Sequence, residues 1–125
     1  MIFYYLDNRS EYKNDNEYIA VLDEVDSVEQ LFKRLKDNFN FPDYFGNNWN
    51  ALNDCLLDFS WTDYKVVTLV VSGFPDLFIE DQDIFMKILI NVTLKWQDND
   101  THNFKVIFPN SEKDFVKSEV LLFLA

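Results

Sequence analysis

The run KVVTLVV at positions 65–71 constrains the fold most, because between its lysine and its last valine only one threonine interrupts valine and leucine. A strand with one wet face alternates apolar and polar residues. This one does not, so both of its faces must be covered, which is the habit of strands inside parallel sheets. Its β-branched side chains also favour extended backbone. Parallel neighbours cannot be joined by tight hairpins and need crossover connections, usually helices. The rest of the chain must therefore supply strands and helices in alternation.

It does so in the order strand, helix, helix, strand, helix, strand. Residues 2–6 are apolar and aromatic, DNRSEYKNDNE at 7–17 reads as a polar turn, and residues 19–22 resume in strand fashion. These pieces predict a hairpin, or an added edge ahead of the main fold. Ser27 followed by Gln30 has the form of a capping box, and Val28, Leu31, Phe32 and Leu35 then recur at helical spacing, predicting a helix from about 27 to 38. Pro42 blocks its continuation, since the residue before a proline is pushed out of helical geometry.

PDYFGNNWNALNDCLLDFSW follows, from position 42. On a helical wheel Trp49, Leu52, Leu56 and Phe59 share one side, with Cys55 at its margin, while Asn50, Asn53, Asp54 and Asp58 fall on the other. An amphipathic helix preceded by an aromatic turn results, with Leu57 as an apolar residue on the polar side. A third helix is predicted from about 81 to 96, then a loop QDNDTHN at 97–103 and the strand FKVIF at 104–108. Residues 111–125 suit either a helix opened by Ser111 or an extra strand. With neither repeat nor linker, one domain over 1–125 is expected.

Charge is unevenly spread. The 125 residues carry 22 acids against 11 bases, a formal charge of −11. Between Phe39 and Met86 Lys65 is the only base, against Asp43, Asp54, Asp58, Asp63, Asp76, Glu80, Asp81 and Asp83. A cationic partner follows more readily than an anionic one, and a nucleic-acid binder, which needs a basic footprint, is disfavoured. Such a run is commonly just a solvated face. Tyr44, Phe45, Trp49 and Trp61 are interleaved with it, however, and aromatic anchors beside uncompensated charge are what a protein-binding hot spot needs.

Scarcity excludes other chemistries. With 2 glycines, 1 cysteine and 1 histidine, the chain can form neither a phosphate-cradling glycine loop, nor a Cys/His zinc site, nor an internal disulfide. No cofactor and no metal are expected: Asp54, Asp58 and Asp63 lack a loop of the EF-hand form. Asp54 and Asp58 lie one turn apart, yet no nucleophile with an adjacent base accompanies them, so an enzyme is not expected. The cysteine count suits a reducing, cytoplasmic setting. No stretch approaches the ~20 apolar residues of a membrane span. Cys55 is expected to be a packed side chain and His102 a solvated one.

The segment PDYFGNNWNALNDCLLD resembles the signature of the barstar family, whose best-known member is the intracellular inhibitor of the secreted ribonuclease barnase. Pro42, Asp43, Tyr44, Phe45, Gly46, Asn48, Ala51, Leu52, Asp54, Cys55 and Leu56 match it without gaps. The flanking elements keep the family order over about residues 19–109. The resemblance implies a three-stranded parallel sheet packed with helices, here with an N-terminal strand or hairpin extension and a C-terminal extension. It implies that the second helix and the loop before it fill the basic active site of a ribonuclease or related toxin, as an antitoxin or immunity protein does, and that the free inhibitor is a monomer.

By this resemblance the partner-binding residues are Tyr44, Phe45, Gly46, Asn47, Asn48, Trp49, Asn50, Asn53, Asp54, Leu57 and Asp58. Asp54 matches the central carboxylate, which takes the place of the substrate's phosphate by accepting the same charge-assisted hydrogen bonds. Tyr44 and Gly46 match the loop that packs on the target's catalytic histidine. Asn48 matches a contact at the helix entry, or caps its own helix. Two positions depart from the archetype: Asn50 stands where it has a second helical aspartate, and Asn53 where it has a tryptophan. A charge pair is thus missing, and the target expected is a different ribonuclease or toxin, with Asp58, Trp49, Leu57, Asp81 or Asp83 compensating. The rival reading is an acidic interaction module or nucleic-acid mimic on a basic partner that is not a nuclease, for which the aromatic loop is not required.

Overall fold

A computed structural model describes residues 2–7, 12–97 and 102–125 of the chain. Four strands, β1 (Tyr4–Leu6), β2 (Glu17–Leu22), β3 (Val66–Val71) and β4 (Asn103–Pro109), form one parallel sheet in the order β1-β4-β3-β2. Four helices accompany them: α1 (Val28–Phe39), α2 (Trp49–Leu56), α3 (Ile79–Gln97) and α4 (Lys113–Leu124). The expected turn at 7–17 and loop at 97–103 fall partly outside the described residues.

The expected three-stranded sheet is corrected to four strands, and the hairpin is excluded. β1 pairs in parallel with β4, Tyr4 opposite Ile107, so β1 and β2 lie at opposite edges. The outer backbone groups of β4 need partners, and a short apolar segment reaches them from the N-terminal side. The C-terminal alternatives resolve in favour of a helix. It is opened by a 3-10 turn at Asn110–Glu112, and no side chain caps it.

β3 meets the demand of its sequence: every residue after Val66 is buried. One sheet face carries Ala20, Leu22, Val67, Leu69, Val71, Phe104, Val106 and Phe108 into the core, where α1 packs on β2 and α3 on β4. Phe3 and Val116 lie in that same core, so both extensions are packed into it. The opposite face holds Val70 and Ile107, also buried, around a polar cluster. There Glu17 of β2 accepts from Thr68 Oγ1 of β3, from Tyr12 at 2.8 Å, and from Lys105 Nζ of β4 at 3.0 Å. Lys105 also donates to Tyr12 Oη at 2.6 Å and lies over the rings of Tyr4 and Tyr12.

Burial pushes the Glu17 carboxyl up, but hydrogen bonds from Thr68, Tyr12 and Lys105 outweigh it and hold the group below its ordinary value. For Lys105 burial acts downward and the bonds to Tyr12 and Glu17 outweigh it, raising the ammonium. Past β3, Gly73 runs so close to the segment after β2 that an added Cβ would stand 2.9 Å from Glu24 Cβ. In the same stretch Asp76 N–H reaches Val25 O at 2.8 Å, ahead of α3.

Candidate functional site

The site is built on what ends α1 and starts α2. Ser27 caps α1 through Gln30 N–H at 3.1 Å, and Gln30 Oε1 reaches back to Asp26 N–H. At the far end Asn40 takes the left-handed conformation, φ 54°, its N–H closing on Lys36 O. The chain then hangs on inward-pointing rings: Phe41 and Phe45 are 5.0 Å apart, and Phe45 packs edge-on against Phe32 at 5.9 Å. With these rings inside, Asp43, Tyr44, Gly46, Asn47 and Asn48 are left at the surface.

Asn47 adopts φ 54°, a conformation that asparagine tolerates better than most residues. It turns the chain into α2, whose N-cap is Asn48: its Oδ1 accepts from Ala51 N–H at 2.7 Å. Of the two roles open to Asn48, capping is therefore in place. Gly46 has ordinary φ; an added Cβ would sit 3.1 Å from Asn48 Nδ2, so the capping amide would have to give by a few tenths of an ångström.

α2 presents Asn50 and Asp54 to solvent and buries Leu52, Cys55 and Leu56. At its C-terminal end Trp96 Nε1 of α3 donates to Leu56 O at 2.7 Å, satisfying one of the carbonyls that a helix end leaves free. Asp54 lies in this last turn, which holds no basic residue. A negative charge there opposes the helix dipole. Among the described residues its carboxylate has no hydrogen-bond or ion-pair partner.

Asp58 is differently placed. Its Oδ2 accepts from Tyr44 Oη at 2.5 Å and its Oδ1 from Ser60 N–H at 3.2 Å. The Tyr44 bond is the main reason its carboxyl lies below the ordinary value. Burial, followed by this same bond, pushes the Tyr44 phenol well above its usual 10.0. The pair clips the loop to the end of α2. Burial also raises the Cys55 thiol, which is fully buried and stays protonated at neutral pH.

The structure sorts the expected contact residues. Tyr44, Gly46, Asn47, Asn48, Asn50 and Asp54 are exposed, and Trp49, Asn53, Leu57 and Asp58 are half-buried. Phe45 is only 4% exposed, so its ring supports the loop and offers no surface. Trp49 stacks edge-on against Phe32 at 4.9 Å, Leu57 packs on the core, and Trp61 Nε1 binds Phe39 O at 2.9 Å. Of the interleaved aromatic residues, Tyr44 alone is substantially exposed, at 56%.

Asp81 and Asp83 lie at the start of α3, and Asp83 pairs with Lys87 at 2.8 Å. Lys87 itself lines a groove with Asn50 and Asn53. Sequence reasoning passed over it; the i, i+4 spacing from Asp83 is the one signal that could have paired it with that acid, and nothing local places it beside Asn53. His102, expected to be solvated, is half-buried: its Nδ1 lies 2.9 Å from Tyr64 O and its ring meets Trp96 edge-on. Among the described residues there is no cluster of three or more metal-binding side chains and no helix long and apolar enough to cross a membrane.

Comparison with known proteins agrees with this arrangement. A family described as "Barstar (barnase inhibitor)" matches residues 17–109, which take in β2 through β4 together with the loop and α2. A protein of Bacillus subtilis (strain 168) named "Putative ribonuclease inhibitor YrdF" is 43% identical over 51 residues, 41% of this chain and 53% of that protein. The chain thus spans about half the length of that curated relative. A parallel sheet covered by helices, a capped α2 behind an aromatic loop, and a family match over most of its length place this chain in the barstar family.

Proposed function

We propose that this chain inhibits a ribonuclease by seating α2 and the loop before it in the enzyme's basic active site. The observation that carries the reading is Asp54: an exposed carboxylate, without a partner among the described residues, in the last turn of a helix whose dipole it opposes. Folding gains nothing from an anion there. A cationic cleft does, because arginine, lysine and protonated histidine that hold a phosphate also donate to a carboxylate. The relative's name, a ribonuclease inhibitor, supports the same role.

The loop's part is to be stiff. Tyr44 is clipped to Asp58 and the backbone is anchored by Phe41 and Phe45, so little conformational freedom is lost when a target closes on it. Asn50 and Asn53 bring hydrogen-bonding amides and no charge, which selects a target other than one requiring a second helical carboxylate. The inhibitor acts as a monomer in the cytoplasm, as an antitoxin or immunity protein.

The test is titration of the purified chain into a panel of small basic microbial ribonucleases that includes barnase, following cleavage of a fluorogenic RNA. Stoichiometric inhibition of at least one member, abolished at equal concentration by Asp54→Ala, is expected. Undiminished activity of every member, or inhibition untouched by Asp54→Ala, would refute the reading.

A further inference from the structure

α4 lies outside the family match, which ends at Pro109. Its last turn nevertheless reaches the surface of α2. A groove of about 360 Å³ has Trp49 of α2, Ile84 and Ile88 of α3 and Phe123 of α4 as apolar lining, with Asn50, Asn53 and Lys87 also bordering it. Such a volume is near the lower end for small-molecule sites and suits one inserted side chain better than a cofactor.

The groove's surroundings say what that side chain stands next to. Lys87 is paired with Asp83 and is also drawn by Glu119 of α4, so these three charges leave an excess of one negative. Asp54 follows Asn53 directly on α2. An apolar floor edged by the Asn50 and Asn53 amides and the ion-paired Lys87, with Asp83 and Glu119 just outside the lining, complements an apolar residue flanked by a base, the pattern of an anchor surrounded by a polar rim. Asn50 and Asn53, the positions where charge and a tryptophan are missing relative to the family pattern, are the ones that open onto this groove. Asp58 and Asp83, expected to compensate, are engaged with Tyr44 and Lys87.

We propose that the inhibitory contact continues from α2 onto this groove, and that it receives an apolar side chain standing beside a lysine or arginine on the rim of the ribonuclease's active site. The inference rests on the reading of α2 as the inhibitory face. Phe123 is then a specificity residue supplied by a helix beyond the part of the chain that matches the family.

The experiment is calorimetric titration of the full chain and its variants against the tightest-binding member of the barnase-containing ribonuclease panel. Phe123→Ala is expected to weaken binding about tenfold or more, the effect of losing a hot-spot side chain. Leu122→Ala, at a position 70% exposed and outside the groove, is expected to stay within about twofold. Lys87→Glu makes the border more acidic and is expected to tighten binding several-fold; being at the surface, it decides the matter if Phe123→Ala fails to fold. Should Asp54→Ala weaken binding while Phe123→Ala and Lys87→Glu leave it within about twofold, the groove lies outside the contact and the reading of α2 survives. Should Asp54→Ala be silent, or no member of the panel bind, both fall.

Discussion

Glu17 and Asp54 are two carboxylates of one small fold in opposite circumstances. Glu17 lies on the sheet, 7% exposed, with Thr68, Tyr12 and Lys105 donating to it. Asp54 stands on a helix surface with no donor among the described residues. A buried charge survives only when paired and hydrogen-bonded, so the first is committed to the fold. The second costs little unpaired because water solvates it, and it remains available to a partner. Net charge does not distinguish the two; the donors around each do.

The largest effect expected is at the buried cluster. Lys105→Met leaves Glu17 buried without its cation and should cost about 3–5 kcal/mol of stability, read from urea unfolding. Target affinity of the folded fraction should not change. A loss below about 1 kcal/mol would mean that water reaches Glu17 and that the two carboxylates differ less than their burial suggests.

Asp54→Ala should do the reverse. Target binding should weaken on the order of 2–5 kcal/mol, the usual loss on truncating one member of a desolvated charge pair. The free chain should gain a few tenths of a kcal/mol, since an acid leaves a helix C-terminus. Calorimetry and thermal melting, run on the same protein, check both signs. A destabilised Asp54→Ala would place that carboxylate among the structural ones.

Tyr44→Phe probes the intermediate case, a carboxylate tied within the site itself. Its half-exposed bond to Asp58 should contribute about 1 kcal/mol or less, visible in the acid limb of stability. Asp58 has its pKa held below its ordinary 3.8, so its contribution is present above that value and lost as the pH falls through the folded pKa. Glu17, held below its ordinary 4.5, adds an acid limb of the same sign. Lys105, raised above its ordinary 10.5, contributes below that value and loses its share as the pH climbs through the raised one. Tyr44→Phe should therefore flatten part of the acid limb and leave the Lys105-dependent alkaline limb in place. An unchanged acid limb would remove Asp58 from the account.

The smallest difference is kinetic. Exposed acids should steer a basic target, so the association rate should fall steeply with added salt, as stopped-flow mixing would measure. A flat dependence would show that the acidic surface serves solubility alone.

Much of the fold was legible because its signals are local. KVVTLVV announced a doubly covered strand, Ser27 and Gln30 the start of α1, and Pro42 its end. The number and order of strands were not legible. Residues 4–6 are too few to say which edge they join, and pairing β1 with β4, Tyr4 opposite Ile107, depends on an open edge more than a hundred residues away in sequence. Helical periodicity correctly put Asn50 and Asp54 on the wet side of α2. It could not say that Phe45 points inward, that Tyr44 closes on Asp58, or that Lys87 comes beside Asn53, since each involves a second element.

Taken alone, the sequence determined the class of fold, the capped helix with its aromatic loop, and the concentration of acids around it, all carried by periodicity, capping and composition. Which of those acids are free was decided only by the tertiary structure. A carboxylate's availability depends on the donors brought within hydrogen-bond reach, and packing brings Tyr44 to Asp58, Lys105 to Glu17 and Lys87 to the α2 groove while leaving Asp54 without a partner among the described residues.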